Sequence, residues 1–306
     1  MADLRVDIGG LALQNPVIAA SGTYGVGREY SELVDVKKLG AVCAKTITLK
    51  AQSGNRPPRL WETPSGMLNS IGLQNDGVDA FIERDLPFLE SLGVPIIISI
   101  AGNTIDEYEK LAKMVGALDG VDAIELNISC PNVKAGGAVF GSDAGMAAEV
   151  TSKTRLATSK PLIVKLTPNV GDIADVALAC DRAGADAISL INTILGMAVD
   201  IETGRPRLGA VVGGLSGPAI RPIAVRMVYQ VAQAVDVPVI GMGGISCPAD
   251  ALEFIIAGAV AVSVGTANFV DPKAPLKVVE GIDEYLEARR IDSVNRLVGA
   301  IRLDNG

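Results

Sequence analysis

Eight short runs of Val, Ile, Leu and Ala punctuate the chain, at 17–20, 41–45, 96–100, 123–127, 162–166, 187–191, 239–242 and 261–264. Runs that are apolar at nearly every position suit parallel strands covered on both faces, whereas half-exposed strands alternate. Between them lie stretches with helical spacing, among them 104–118, 172–183, 220–235 and 248–257. Eight strand-then-helix units predict an α/β protein, a single (β/α)8 TIM barrel domain over residues 1–306. A doubly wound sheet is the competing architecture. The phrases AGADAIS at 183–189 and AGAVAVS at 257–263, each a helix end running into a strand, favour the barrel. Ahead of the first run, LRVDIGGLALQNP reads as a β-hairpin turning at Gly9-Gly10, a plug for the end of the barrel away from the mouth. Residues 46–95 and 192–238 are too long for bare strand-to-helix loops. They contain RPPRLWETPSGMLNSIGLQN and GMAVDIETGRPRLGAVVGGLSG, rich in Gly, Pro and polar residues, and predict lids or extra hairpins over the barrel mouth.

Composition narrows the function. Of 306 residues, 49% are hydrophobic and 20% charged, enough for one large core. A net charge of -8 and a pI near 4.8 argue against a nucleic-acid surface and point to a small substrate. Mean hydropathy is +0.36, yet no apolar run reaches the roughly 18 residues of a membrane span. The first residues, MADLRVDIGG, lack a basic segment followed by an apolar one, so the expectation is a soluble cytoplasmic protein. Cysteines at 43, 130, 180 and 247 form no CxxC pair and no finger spacing. No structural zinc, other metal or iron-sulfur cluster held by this chain alone is expected.

A barrel of this kind works at the C-terminal ends of its strands, which makes the residues just after each run candidates by position. Gly243-Gly244 after strand seven and Gly265-Thr266 after strand eight place backbone amides where a phosphate can be held, with support from a following helix N-terminus. Tight-turn geometry alone is the plainer explanation of such glycines. Lys45 and Lys165 each end an apolar strand, so something negative should meet them: an electron-rich cofactor or a core carboxylate such as Glu125. The segment ELNISCPN at 125–132 is a poor core and a good polar loop. The chain has no His, so acid-base work near neutral pH falls to a Cys, a Lys or a carboxylate, and Cys130 is the candidate base. Cys43, Cys180 and Cys247 read as inert small residues. Asn69, Asn127, Asn192 and Thr193 offer neutral donors and acceptors for a pyrimidine-like ring, although Asn in loops is often turn chemistry alone.

Taken in order, AASGTYG (19–25), KTIT (45–48), NSIGLQN (69–75), NISCPN (127–132), INT (191–193), GGLSGPAI (213–220), GMGGI (241–245) and VGTA (264–267) resemble the class 1 dihydroorotate dehydrogenases along nearly the whole chain. GGLSGPAI resembles the B type, a catalytic subunit working with an iron-sulfur flavoprotein that passes electrons to NAD. The resemblance implies that FMN is surrounded by Ser21, Lys45, Thr46, Asn127, Lys165, Ile191, Gly217, Gly243, Gly244, Gly265 and Thr266. It implies that Lys45, Asn69, Ser70, Ile71, Gly72, Leu73, Asn127, Asn192 and Thr193 hold dihydroorotate, and that Cys130 is the base. Ser99 stands where the family pattern has Asn beside the flavin, and is carried as a cofactor contact through its hydroxyl. The implied assembly is a homodimeric core joined by a subunit carrying FAD and the iron-sulfur cluster, a heterotetramer in all. Three readings compete: a pyrimidine oxidoreductase like the FMN domain of dihydropyrimidine dehydrogenase, a flavin-free phosphate-binding barrel isomerase or lyase, and a barrel that only binds a ligand or partner.

Overall fold

The computed structural model describes residues 2–129 and 140–303. Eight parallel strands close into a barrel in sequence order: Val17–Ala19, Ala41–Ile47, Ile96–Ile100, Ala123–Asn127, Leu162–Lys165, Ala187–Leu190, Val239–Met242 and Ala261–Val264. All eight runs read from the sequence are strands, and the doubly wound alternative falls because the last strand pairs with the first, Val262 opposite Val17. Nearly every strand residue is buried, which is why the runs lack alternation: one face fills the barrel and the other meets the helices.

The helices form where caps and apolar spacing coincide. Ile105–Gly116 starts at Thr104, whose side chain accepts the Glu107 N–H, and buries Tyr108, Leu111, Ala112 and Val115 on one face. Ile173–Arg182 is capped by Asp172 in the same way, and Pro248–Ala257 by a carboxylate from its own first turn, Asp250. Arg221–Ala232 follows a short 3-10 turn over Pro218–Ile220, a little later than the spacing suggests.

The N-terminal hairpin pairs Val6–Asp7 with Ala12–Leu13 around Gly9 and Gly10, both at positive φ (70° and 93°) as a two-residue turn requires. Gly9 packs so closely on Asp186, just ahead of strand six, that a Cβ would lie 2.2 Å from its carbonyl oxygen. The hairpin therefore covers the end of the barrel away from the mouth. At the mouth the two long insertions meet in one four-stranded antiparallel sheet, ordered Ile194–Gly196, Gly213–Ser216, Gly66–Asn69 and Leu60–Thr63. Gly214 lies opposite Asn69 and Leu215 opposite Leu68, so each insertion supplies half of the sheet. Among the described residues no helix is long and apolar enough to cross a membrane.

Candidate active site

A cleft of about 1180 Å3, counted to its open mouth, lies between the C-terminal strand ends and the insertion sheet. Every barrel strand except the third contributes to its lining through its last residues or the loop that follows. Lys45 and Thr46 both reach it although they are neighbours on one strand. The register between strands two and three shifts between Ala44 and Ile47, and this bulge turns two successive side chains toward the mouth.

The floor is charged. Lys165 ends strand five, only 6% exposed, and its Nζ donates to Ser21 Oγ at 3.3 Å and lies 3.7 Å from Glu125 Oε1. Ser21 Oγ donates in turn to the same carboxylate oxygen at 3.1 Å. The core-carboxylate partner foreseen for a strand-end lysine thus exists, and Lys165 lines the cleft as well. Cys43 lies beside this group. Burial first, then the Glu125 carboxylate, push its thiol well above the usual range, and burial pushes Cys180 up to about 12. Both cysteines are free and buried. Cys247 is exposed at the start of a helix rather than buried.

One wall is a chain of neutral hydrogen bonds. Ser99 Oγ and Thr46 Oγ1 share a hydrogen 2.9 Å apart, Asn127 Nδ2 donates to Thr46 Oγ1 at 3.2 Å, and Ser129 donates to Asn127 Oδ1 through N–H (3.2 Å) and hydroxyl (2.9 Å). Asn192 Nδ2 then donates to Ser129 Oγ at 2.9 Å and to its carbonyl at 3.1 Å. The buried Tyr108 hydroxyl donates to the Asn127 carbonyl at 3.0 Å and fixes the strand end. Asn127 is therefore held in one orientation at the lining, a preorganised group rather than a mobile loop amide.

At the far end Gly217, Gly243, Gly244, Gly265 and Thr266 line the cleft. Gly244 has φ +81°, and a Cβ there would sit 2.8 Å from the Gly217 carbonyl oxygen. At Gly265 the nearest protein atom to such a Cβ is 3.7 Å away, so the backbone faces open cleft. The helix after strand seven gives no help, since Asp250 takes the Ser246 and Cys247 N–H groups at 2.9 and 3.1 Å and neither residue lines the cleft, whereas the short helix Ala267–Val270 after strand eight starts at Thr266, which does line it.

Of the residues proposed from sequence, Ser21, Lys45, Thr46, Asn69, Ile71, Gly72, Leu73, Asn127, Lys165, Ile191, Asn192 and Thr193 join those five around the one cleft. Two do not reach it. Ser99 is fully buried behind Thr46, because its short hydroxyl ends at that partner, and Ser70 is fully buried, its hydroxyl accepting from Asn55 Nδ2 at 2.9 Å. Cys130 lies outside the described residues; the strand that leads to it does end at the cleft. Sequence reasoning passed over Thr23, Leu60, Met67, Ser216, Met242 and Phe269, apolar or hydroxyl groups without an individual signal. It also passed over Asn75, which shapes the 69–73 segment. Its Oδ1 accepts the Thr48 and Gly77 N–H groups, and its Nδ2 donates to Thr48 Oγ1 and the Leu73 carbonyl, all within 3.1 Å.

Comparison with known proteins decides the family. The model of the dihydroorotate dehydrogenase family matches residues 3–286. The chain belongs to the dihydroorotate dehydrogenase family. A relative from a Thermoanaerobacter species, the catalytic subunit of dihydroorotate dehydrogenase B (NAD+), is 55% identical over 99% of this chain and 100% of its own length. The proteins of the same name from Trichlorobacter lovleyi (56% identical; 97% and 98% covered) and Caldicellulosiruptor saccharolyticus (54%; 98% and 100%) are similar to the same degree. Dihydroorotate dehydrogenase membership makes a flavin the group to test against this cleft. The residues present fit one: the Gly265 backbone faces open cleft, and the buried Lys165 and the fixed amide of Asn127 line the same cleft.

Proposed function

We propose that this chain oxidises (S)-dihydroorotate to orotate in pyrimidine biosynthesis with FMN as its resident cofactor, acting as the catalytic subunit of a B-type enzyme whose final acceptor is NAD. The observation that carries this reading is the convergence of Lys165, Asn127 and the two glycine loops on one cleft, in a chain that matches catalytic subunits of that name end to end. Residues 1–306 act as one catalytic domain.

Bound FMN supplies the acceptor for the hydride leaving C6 of dihydroorotate, which, with loss of the C5 proton, leaves the ring double bond of orotate. The rest is done by side chains. Gly243, Gly244, Gly265 and Thr266 hold the phosphate, with the Thr266 hydroxyl donating to Ser216 Oγ at 2.8 Å and tying the loop to the insertion sheet. Ser21, Thr46, Ile191 and Gly217 border the cofactor. Lys165 sets positive charge beneath the pole where negative charge gathers on reduction. Lys45 pairs with the substrate carboxylate, while Asn69, Asn127, Asn192, Thr193 and the 71–73 segment fix the ring and its orientation. Cys130 takes the C5 proton, and the insertion sheet keeps water from the site.

Partner chemistry follows from the same reading. FAD and the iron-sulfur cluster belong to a second subunit, and two copies of this chain form the core of a cytoplasmic heterotetramer. The test of the cofactor is mass spectrometry of the group released from the purified chain. FMN in near one-to-one yield is expected; FAD, a sugar phosphate or nothing contradicts the reading.

A further inference from the structure

Glu125 is the one carboxylate among the described residues that joins the charged floor of the cleft, and the reaction as derived leaves it without a part. It is 4% exposed, on strand four two residues before Asn127, so both side chains point into the barrel. It does not line the cleft, but Ser21 and Lys165 do, and both contact it. A carboxylate buried this deeply is strongly unfavourable without charged or hydrogen-bonding partners. Here they come from three other strands or their loops: the Ser21 hydroxyl after strand one, the Cys43 thiol on strand two and the Lys165 ammonium on strand five. Ser21 sits between the two charges, donating to Glu125 and accepting from Lys165.

We infer that Glu125 is a positioning residue that holds Lys165 beneath the cofactor and offsets part of its charge, and so sets the electron affinity of the flavin site. The inference rests on the FMN reading above. A negative charge under Lys165 opposes the gain of negative charge above it. With Gln in its place the ammonium acts unopposed, and the reduced cofactor is favoured. Lys165 has the opposite influence. A unit charge a few ångströms beyond the lysine, in surroundings of intermediate dielectric, is worth at least about tenfold in the ratio of reduced to oxidised cofactor. For a two-electron couple that ratio is about 30 mV.

The experiment is an equilibrium reductive titration of the purified, FMN-loaded chain against reference dyes, which reads potential rather than turnover. Glu125→Gln should raise the midpoint by at least the tenfold equivalent, and Lys165→Met should lower it. In the Lys165→Met background the same Gln change should move the potential by less than half as much, because a carboxylate buried without its cation does not persist as a charge for Gln to remove. An unchanged potential in Glu125→Gln, or a full shift in the Lys165→Met background, overturns the inference while leaving the FMN reading intact. A wild-type chain that carries no flavin overturns both. Should Glu125→Gln fail to fold, the double variant Glu125→Gln/Lys165→Met, which removes both buried charges, should recover a folded flavoprotein. Continued failure of the double variant also counts against the pairing.

Discussion

Asn127 shows how a single side chain is fixed at the cleft: its amide is directed by Thr46, Ser129 and, through Ser129, Asn192, leaving little freedom at the lining. The position was legible because a polar residue directly after a buried apolar run has few other reasons to be there. Lys165 was legible on the same ground, and its pairing with Glu125 was foreseen as an alternative to a cofactor role; the structure places the pair and the cleft together. Ser99 was harder to read. Its place at a strand end suggested cofactor contact, yet side-chain length decides reach, and a hydroxyl bonded to Thr46 stops one layer short. At this scale the proposed base gives a direct prediction. Cys130→Ala should retain flavin but slow its reduction by dihydroorotate by about a hundredfold, the typical contribution of a general base. Cys130→Ser should recover part of the rate at high pH, since a hydroxyl loses its proton far less readily than a thiol of reference pKa about 8.5. Stopped-flow traces of both variants measure it, and near-normal reduction of the alanine variant at neutral pH assigns the proton to another group.

Strands and helices followed from local pattern because burial on both faces leaves an uninterrupted apolar run, and caps such as Thr104 and Asp172 mark where helices begin. The insertions did not yield in the same way. Their Gly, Pro and polar content announced loops over the mouth, but the pairing of Gly66–Asn69 with Gly213–Ser216 depends on a register between distant segments that no local period encodes. Asn75 was hidden for a related reason, since its partner Thr48 becomes a neighbour only once the segment is folded back on strand two. Asn75→Ala leaves the Thr48 and Gly77 N–H groups without their acceptor and should cost about 1–3 kcal/mol of stability. Because the loop it shapes carries Ile71, Gly72 and Leu73 to the cleft, KM for dihydroorotate should rise more than kcat falls. Thermal unfolding and steady-state kinetics read the two effects separately. An unchanged KM would show that the segment keeps its form without Asn75.

For the molecule as a whole, fold class was the most legible property, because eight repeated units leave few topologies and closure leaves no unpaired strand edge. The absence of CxxC pairs in the sequence bears on function at the same scale. On the proposed reading this chain holds FMN alone, and a second protein delivers the electrons to NAD. The isolated chain should therefore oxidise dihydroorotate with an artificial dye, reduce NAD poorly, and gain NAD reduction when an iron-sulfur flavoprotein subunit is added. Efficient NAD reduction by the chain alone would contradict that division of labour, and efficient fumarate reduction would place it with the A type. The most direct test of the central claim, that dihydroorotate is oxidised at this cleft by a flavin the chain itself holds, is anaerobic mixing of the purified protein with dihydroorotate while the visible flavin band is followed. The account predicts that the band bleaches and that one orotate forms per flavin; a colourless protein, or a band that persists with saturating dihydroorotate, would contradict it.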